Sequence, residues 1–252
     1  MSESSAAPYE LYYWPMLQGR GEFVRLALEE AGAPYVDVAR QPESETGGVQ
    51  ALLGLLREGP AVPPPFAPPI LKVDELVIAQ TANILLYLGR HHALAPQDEA
   101  GQLAAHQLQL TVTDLVSEVH DTHHPISSAL YYEDQKREAK QRATSFIEQR
   151  LPRYLGYFER TLDLNPVGEG RYLVGSQQSY VDLSLFQVLE GLAYAFPGAF
   201  ERAKADAPRL LELGAHVARR PRIAAYLASE RRIPFNELGI FRHYPELDAA
   251  GS

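Results

Sequence analysis

Short runs of apolar and polar residues at the start of the chain predict a strand, a helix and a second strand. Residues 9–14 form an aromatic-rich run that Pro15 ends, which is typical of a strand. In residues 22–31 apolar positions recur every three or four residues and a glycine follows, which predicts a helix with a C-terminal stop. Residues 35–39 alternate and predict the second strand. This order favours a right-handed βαβ unit with parallel strands.

A second pattern lies between Pro68 and Thr81. Two short apolar runs are joined by a tight acidic turn, so the pattern predicts a pair of strands. Gln80 and Thr81 then open a helix, since an apolar run follows them without a break. The prolines before the first of these strands allow a cis bond at Pro69. A helix N-terminus beside a hydroxyl group is a ready site for a carboxylate.

The rest of the chain is predicted to be mostly helical. Residues 49–58 predict a short helix, and the proline-rich residues 59–68 predict an irregular loop. After a linker at residues 92–98 we predict helices over residues 99–124, 133–162 with a kink at Pro152, 180–194, 200–219 and 222–229. Ser179 and Asp182 form a capping pattern at the start of the helix over 180–194. Residues 232–252 carry no clear signal.

Composition narrows the classes of function. The chain has 252 residues and a net charge of -9, which argues against a general nucleic-acid binder. It has no cysteine, so disulfides, thiolate metal sites and a cysteine nucleophile are excluded. The first eight residues do not form a secretory signal, and no apolar run approaches the ~20 residues of a membrane span. We therefore expect a soluble cytoplasmic protein without membrane contact.

The spacing from Pro69 to Gln80, the run Tyr13-Trp14-Pro15 and the Ser179 cap together resemble the cytosolic glutathione S-transferases. The resemblance is to the tyrosine-type group (alpha, mu, pi and sigma) and indicates a divergent class. It implies an α/β plus all-α fold. A thioredoxin-like glutathione-binding domain would occupy residues 8–95, and an all-helical domain with a hydrophobic acceptor site would occupy residues 96–252.

The resemblance implies that Tyr13 is catalytic and hydrogen-bonds the thiol of glutathione. Lowering a thiol pKa from ~8.5 by ~2 units needs about 2.7 kcal/mol, most of which one charge-assisted hydrogen bond can supply. The loop after Tyr13 is one residue longer than is usual in the family, which leaves Tyr12 as an alternative. Strand alternation favours Tyr13. The simpler alternative is a core tyrosine.

The resemblance also implies which residues bind glutathione. Gln80 and Thr81 would hold the γ-glutamyl end, with Arg20 nearby, although Thr81 could equally be an ordinary helix cap. The carbonyl of Pro68 would accept the cysteinyl N–H, but a proline there has no N–H to return. Asp114 falls at the position of a family acidic residue that reaches across the dimer to the amino group of the ligand. For Arg20 and Asp114 the alternative is a solvated surface charge.

The wall of the acceptor site is predicted at Met16, Leu17, His124 and Tyr131. His120 and His124 lie four residues apart, as zinc ligands can, but no cysteine or suitably placed Glu completes a metal set. A solvated helix end is the other alternative for these histidines.

Taken together, these features predict a glutathione transferase that conjugates the glutathione thiolate to hydrophobic electrophiles. Glutathione is then a co-substrate, no permanent cofactor or metal is expected, and the protein is expected to be a homodimer. The rival hypothesis is a non-catalytic ligand-binding or structural protein of the same fold. It is motivated by the proline at position 68 and by Ala67, which stands where the family carries an amide side chain.

Overall fold

The computed structural model describes residues 7–59 and 61–248, and its N-terminal part is built on a mixed four-stranded sheet. The strands are β1 (Tyr9–Tyr12), β2 (Tyr35–Asp37), β3 (Ile70–Val73) and β4 (Leu76–Ala79). They lie in the order β2-β1-β3-β4. Strands β1 and β2 are parallel, and the β1/β3 and β3/β4 pairs are antiparallel. The predicted parallel unit and the predicted second strand pair are both confirmed.

Three helices accompany this sheet: α1 (Gly21–Ala31), α2 (Gly48–Glu58) and α3 (Thr81–His91). Helix α1 ends at Gly32, which adopts the left-handed conformation that the sequence assigns to a stop. Strand β2 is two residues shorter than predicted, because Val38–Arg40 forms a single 3₁₀ turn.

The rest of the described chain is mostly helical. Its helices are α4 (Glu99–Asp121), α5 (Lys136–Ser145), α6 (Leu151–Asp163), α7 (Tyr180–Ala195), α8 (Pro197–Ala203), α9 (Pro208–Ala218), α10 (Pro221–Leu227) and α11 (Pro245–Asp248). The Ser179 cap is confirmed: the Asp182 carboxylate accepts hydrogen bonds from the backbone N–H and the hydroxyl of Ser179. It also accepts the N–H of Leu173, so it ties the preceding loop to α7.

The predicted kink at Pro152 takes the form of a π-helical turn. Residues Phe146–Arg150 join α5 to α6 with i to i+5 hydrogen bonding. Proline has no N–H and its ring crowds the carbonyl four residues earlier, so the widened turn is the local solution.

The single helix predicted over residues 200–219 is wrong. The structure has two helices there, α8 and α9, separated by a 3₁₀ turn at Lys204–Asp206 and by Ala207. Pro208 is the first residue of α9, a position that a proline favours because its missing N–H is not needed there.

Helix α1 lies at the centre of the molecule. Every residue from Gly21 to Glu30 is buried. One core surrounds it, formed by one face of the sheet together with α3, α4, α7 and α10. A smaller core on the other face of the sheet packs Tyr12 and Ile70 against Leu52 of α2. This arrangement places the N-terminal ends of α1 and α3 beside α4.

The segment after Arg232, which carries no clear pattern, is folded against the core. Ile233, Ile240 and Phe241 are buried in it. Phe241 packs over Gly191 so closely that an added Cβ at that position would lie 2.4 Å from its ring. Across the described ranges, no helix has the length and apolarity needed to cross a lipid bilayer.

Candidate active site

The structure places the Tyr13 hydroxyl at the N-terminus of α1. Tyr13 follows β1 directly and is 6 % exposed. Its hydroxyl oxygen accepts the backbone N–H of Arg20 at 2.8 Å. The ring lies beneath Gly19 and Gly21, and a Cβ at Gly19 would come within 2.1 Å of the hydroxyl. The loop therefore needs glycine there for the tyrosine to approach the helix end.

This contact leaves the phenolic proton available for a ligand. The Arg20 N–H occupies a lone pair of the hydroxyl, so the O–H of Tyr13 can still donate. Burial raises the pKa of Tyr13, while the Arg20 N–H and the nearby Arg20 and Arg25 charges act to lower it. With a raised pKa the group stays a phenol at neutral pH. It is suited to donate a hydrogen bond rather than to act as a base.

Tyr12, the alternative to Tyr13, lies on the other face of the sheet. Its ring packs in the small core beside Val38 and Ile70. Its hydroxyl donates to the carboxylate of Glu10, which also accepts a bond from Lys72. The alternation predicted from the sequence is therefore observed, and Tyr12 is engaged away from the N-terminus of α1.

The segment from Pro68 to Thr81 has an unusual backbone. The Pro68-Pro69 bond is cis, as predicted. Gln80 has a φ of 71°, a value that costs a non-glycine residue about 1–3 kcal/mol and tends to occur at ligand sites. Thr81 is the first residue of α3, and neither it nor Gln80 supplies a side-chain cap among the described contacts. The interpretation of Thr81 as a helix cap is therefore wrong.

A cavity of about 300 Å³ lies between the N-terminal ends of α1 and α3 and one face of α4. We call it the α4 cavity. Its lining includes Arg20, Gln80 and Thr81, together with His106 and Gln109 of α4. The structure therefore brings three of the predicted glutathione-binding residues to one cavity, and Arg20 links that cavity to the Tyr13 hydroxyl through its backbone N–H.

The Arg20 guanidinium, on the cavity wall, donates a hydrogen bond to the Ser117 hydroxyl at 3.2 Å. Two other residues predicted to bind glutathione, Asp114 and Pro68, do not line this cavity. Asp114 lies on the exposed side of α4, so its contact with a ligand stays a prediction that depends on a second chain. Pro68 is half-buried, and its carbonyl contact also stays a prediction.

The predicted acceptor wall is partly brought together. The Met16 side chain is 67 % exposed, and its carbonyl accepts a hydrogen bond from Asn236 at 2.9 Å. Four residues further on, the Ile240 carbonyl bonds to His123 Nε2 at 2.8 Å. Residues 236–240 therefore connect the Met16 loop to the end of α4.

The remaining wall residues differ in their surroundings. Leu17 is half-buried next to Gly19. His124 stacks on His120 with ring centroids 5.2 Å apart, and its Nδ1 lies 2.5 Å from Nδ1 of His123. Tyr131 is 79 % exposed in the loop after α4. A role for each in acceptor binding stays a prediction.

Burial and charge make the three histidines poor bases. Burial and the neighbouring Arg242 charge lower the pKa of His123 and bring that of His124 down to about 4. Burial likewise lowers the pKa of His120. Within residues 7–59 and 61–248, no group of three or more His, Asp or Glu side chains is arranged to hold a metal ion.

Sequence reasoning missed two contributors to this region. The first is the segment at Asn236–Ile240, whose irregular pattern gave no element to place. The second is the pair His106 and Gln109, which on a helix could equally face solvent. Their spacing of three residues, shared with Thr113 and Val116 further along α4, was the available signal.

Comparison with known proteins finds a matching family model and several relatives of similar length. The family model described as "Glutathione S-transferase, C-terminal domain" matches residues 120–230. A glutathione S-transferase of Plasmodium falciparum (isolate 3D7) is 23 % identical over 225 residues, which cover 88 % of this chain and 95 % of the relative. "Glutathione S-transferase P 2" of Bufo bufo is 26 % identical over 92 % of this chain and 98 % of its own.

A similarity to a solved structure supports the fold. The structure of the Onchocerca volvulus Pi-class glutathione S-transferase matches with a TM-score of 0.66 and 22 % identity. The match covers 88 % of this chain and 92 % of that one. The mixed sheet followed by a helical region is therefore the fold expected from the sequence.

Proposed function

The chain belongs to the glutathione S-transferase family, and on that premise we propose that it conjugates glutathione to hydrophobic electrophiles. The thiol of glutathione loses its proton to solvent, and the sulfur electron pair forms a new bond to carbon. The displaced pair leaves with a leaving group or, in an addition, moves onto the acceptor. Glutathione is the co-substrate, and none of the described side chains is consumed.

The observation that carries this proposal is the position of Tyr13. Its hydroxyl accepts the Arg20 N–H at the start of α1 and keeps its own proton for a thiolate. A charge-assisted hydrogen bond of this kind stabilises the anion by about 1.5–3 kcal/mol. That corresponds to a drop of about 1–2 units in the pKa of the thiol. The N-terminal end of α1 adds a smaller favourable contribution.

The glutamyl end of glutathione would lie at the start of α3. The first N–H groups of a helix have no partner within the helix, and a carboxylate satisfies them well. Thr81 offers a hydroxyl there, Gln80 offers an amide, and the Arg20 charge lies on the wall of the same cavity. The Pro68 carbonyl would accept a hydrogen bond from the cysteinyl N–H of glutathione. Because proline has no backbone N–H, the second hydrogen bond at this position, donated by the protein, would be absent.

The acceptor would enter beside Met16, Leu17, His124 and Tyr131, as the family resemblance implies. Leu238, which is exposed in the segment that joins the Met16 loop to α4, adds an apolar side chain near this entrance. Burial of apolar surface would then supply most of the affinity for the acceptor.

The family resemblance also supports a cytoplasmic homodimer with a role in detoxification. In such a dimer Asp114 of one chain would reach the amino group of the glutathione bound to the other. The two parts of the molecule would correspond to a glutathione-binding domain at residues 8–95 and an acceptor-binding domain at residues 96–252.

A non-catalytic binder of the same fold is the second candidate, because Pro68 and Ala67 remove two contacts that would position glutathione. An ultraviolet difference titration separates the two functions. We expect glutathione to bind and to develop a thiolate band with a midpoint about 2 units below the ~8.5 of a free thiol. Binding without that band would favour the non-catalytic function, and no binding would leave only the fold in common.

Tyr13→Phe tests the mechanism, with Tyr12→Phe as its matched control. Loss of the Tyr13 hydroxyl is expected to raise the midpoint of the thiolate band by about 1–2 units and to lower kcat/KM about 10–100-fold at neutral pH. Tyr12→Phe removes a hydroxyl that is bonded to Glu10, so the midpoint should stay unchanged. A Tyr13→Phe protein with the full rate and an unchanged thiol pKa would reject the role of Tyr13.

A further inference from the structure

Three buried polar atoms line the α4 cavity without a hydrogen-bond partner among the described residues. They are Thr81 Oγ1, His106 Nδ1 and Gln109 Oε1. Thr81 is 8 % exposed and Gln109 is 1 % exposed, so these two side chains are largely shielded from bulk solvent. Buried atoms without partners also occur elsewhere in the described chain, among them Glu30 Oε2 and the amide of Gln178 on a second cavity, but these three line the cavity that also holds Arg20 and Gln80. A buried acceptor without a partner carries its full desolvation cost, and a bound ligand group removes that cost.

The two α4 residues face the start of α3. His106 and Gln109 are three residues apart, and Thr113 and Val116 continue the same face of the helix along the cavity wall. At 1.5 Å per residue, Gln109 lies about 12 Å along α4 from Ser117, which holds the Arg20 guanidinium. The end of the cavity at Gln109 is therefore distinct from the end at Arg20.

The chemistry of the Gln109 end suits an α-amino acid group. The N–H groups of the first turn of α3 and the Thr81 hydroxyl can donate to a carboxylate. Gln109 Oε1 is an acceptor, and so is His106 Nδ1 in the neutral ring that carries its proton on Nε2. An ammonium group donates only, so it matches these two acceptors. Donors and acceptors on facing helices can thus hold the carboxylate and the ammonium group that share one carbon atom.

We propose that Gln109, with His106 as a second acceptor, binds the α-ammonium group of the γ-glutamyl residue of glutathione from within the same chain. This inference rests on the proposed function and goes beyond the predicted contacts of Gln80 and Thr81. It differs from the expected contact of Asp114, which comes from a second chain. The glutamyl pocket of each chain would then hold the ammonium group without help from a partner.

Two variants and two analogues of glutathione test the assignment by calorimetric titration of the full-length protein. Gln109→Met keeps the length of the side chain and removes the acceptor, and Thr81→Val removes the hydroxyl. In one analogue a glutaryl group replaces the γ-glutamyl group, so the α-ammonium group is missing. In the other a 4-aminobutyryl group replaces it, so the α-carboxylate is missing.

We expect Gln109→Met to bind glutathione about 10–100-fold more weakly than the wild type and to bind the glutaryl analogue equally well. Thr81→Val should weaken glutathione but not the 4-aminobutyryl analogue. Gln107→Met is the matched control, because Gln107 is exposed on the same helix, and it should leave both affinities unchanged.

Each other outcome has a definite meaning. A wild type that binds no glutathione would overturn the proposed function itself. A wild type that binds, with unchanged affinity in Gln109→Met, would overturn only the role of Gln109. Equal losses for glutathione and the glutaryl analogue would also overturn it, since Gln109 would then support the structure. If Asp114→Asn weakens the binding of glutathione but not of the glutaryl analogue, while Gln109→Met weakens neither, the ammonium contact belongs to the partner chain.

Discussion

Buried polar side chains occur on two sides of α1. Those on one side have hydrogen-bond and ion-pair partners, whereas polar atoms on the other side have none among the described residues. On one side, Glu22 and Arg25 are fully buried in a network of ion pairs. On the other side, the cavity holds Thr81 and Gln109 with unpartnered oxygen atoms. The first arrangement is consistent with a role in stabilising the fold, because every charged group in it has a partner. The second arrangement leaves polar atoms on a cavity wall that are available to a ligand.

The partnered network joins distant parts of the chain. Glu22 accepts hydrogen bonds from Tyr226 at 2.6 Å and from Arg232, and Arg25 bonds Asp37 at 2.7 Å. Arg25 Nη2 and Asp37 Oδ1 are left over, yet both belong to groups that are otherwise bonded. The network therefore fastens α10 and the segment after it to α1. Arg25 also lies 5.8 Å from the centre of the Tyr13 ring, so the same network braces the tyrosine.

The largest expected effect comes from breaking this network. Glu22→Leu leaves Arg25 and Arg232 without a shared buried counter-charge, which should lower the free energy of unfolding by about 3–5 kcal/mol. Unfolding in guanidinium chloride measures the loss. Glu148→Leu, at an exposed helix position, is the control and should change stability by about 0.5 kcal/mol or less. An equally small effect of Glu22→Leu would show that the network is not needed for stability.

The histidines at the end of α4 are a second partnered group, and they should make stability depend on acid. In the folded protein the pKa of His124 is lowered to about 4 by burial and by Arg242, with an opposing effect of Asp121. A depressed pKa in the folded state means that stability is present above the ordinary value of ~6.5 and is lost as the pH falls towards 4. After allowance for solvent screening, the loss should be of the order of 1–2 kcal/mol.

His124→Asn isolates this contribution, since asparagine keeps a donor near the position of Nδ1 but does not titrate. The variant should lose less stability than the wild type between pH 6.5 and pH 4, as measured by urea unfolding at each pH. Identical pH profiles for the two proteins would contradict the assignment.

The sequence predicts those parts of the fold that depend on patterns within a single helix or strand. The strands and most helices follow from periodicity and from stops such as Pro15 and Gly32, which act over a few residues. The break before Pro208 was missed because the helical pattern on both sides is continuous. Burial of the segment at Ile233–Phe241 could not be predicted, because it depends on contacts such as that between Phe241 and Gly191.

The candidate site likewise contains residues that the sequence indicated and one that it did not. The roles predicted for Tyr13, Gln80 and Thr81 come from the family resemblance, whose motifs lie at the end of β1 and the start of α3, where neighbours in sequence are also neighbours in space. Gln109 could not, since a glutamine on a helix pattern carries no sign of burial. Only the packing of α3 against α4 turns it into a buried acceptor.

The smallest expected effect is on the stability of variants at the α4 cavity. It distinguishes the unpartnered polar atoms of this cavity from the ion-pair network of Glu22 and Arg25. Thr81→Val and Gln109→Met remove polar atoms that have no partner in the described chain, so the ligand-free proteins should be as stable as the wild type or more stable by about 1 kcal/mol. Thermal unfolding without ligand measures this. Saturating glutathione should reverse the order, because a ligand stabilises in proportion to the logarithm of its concentration over Kd, and the wild type binds more tightly. A loss of several kcal/mol in the ligand-free variants would place Thr81 and Gln109 with Glu22 and Arg25, as groups that hold the fold together.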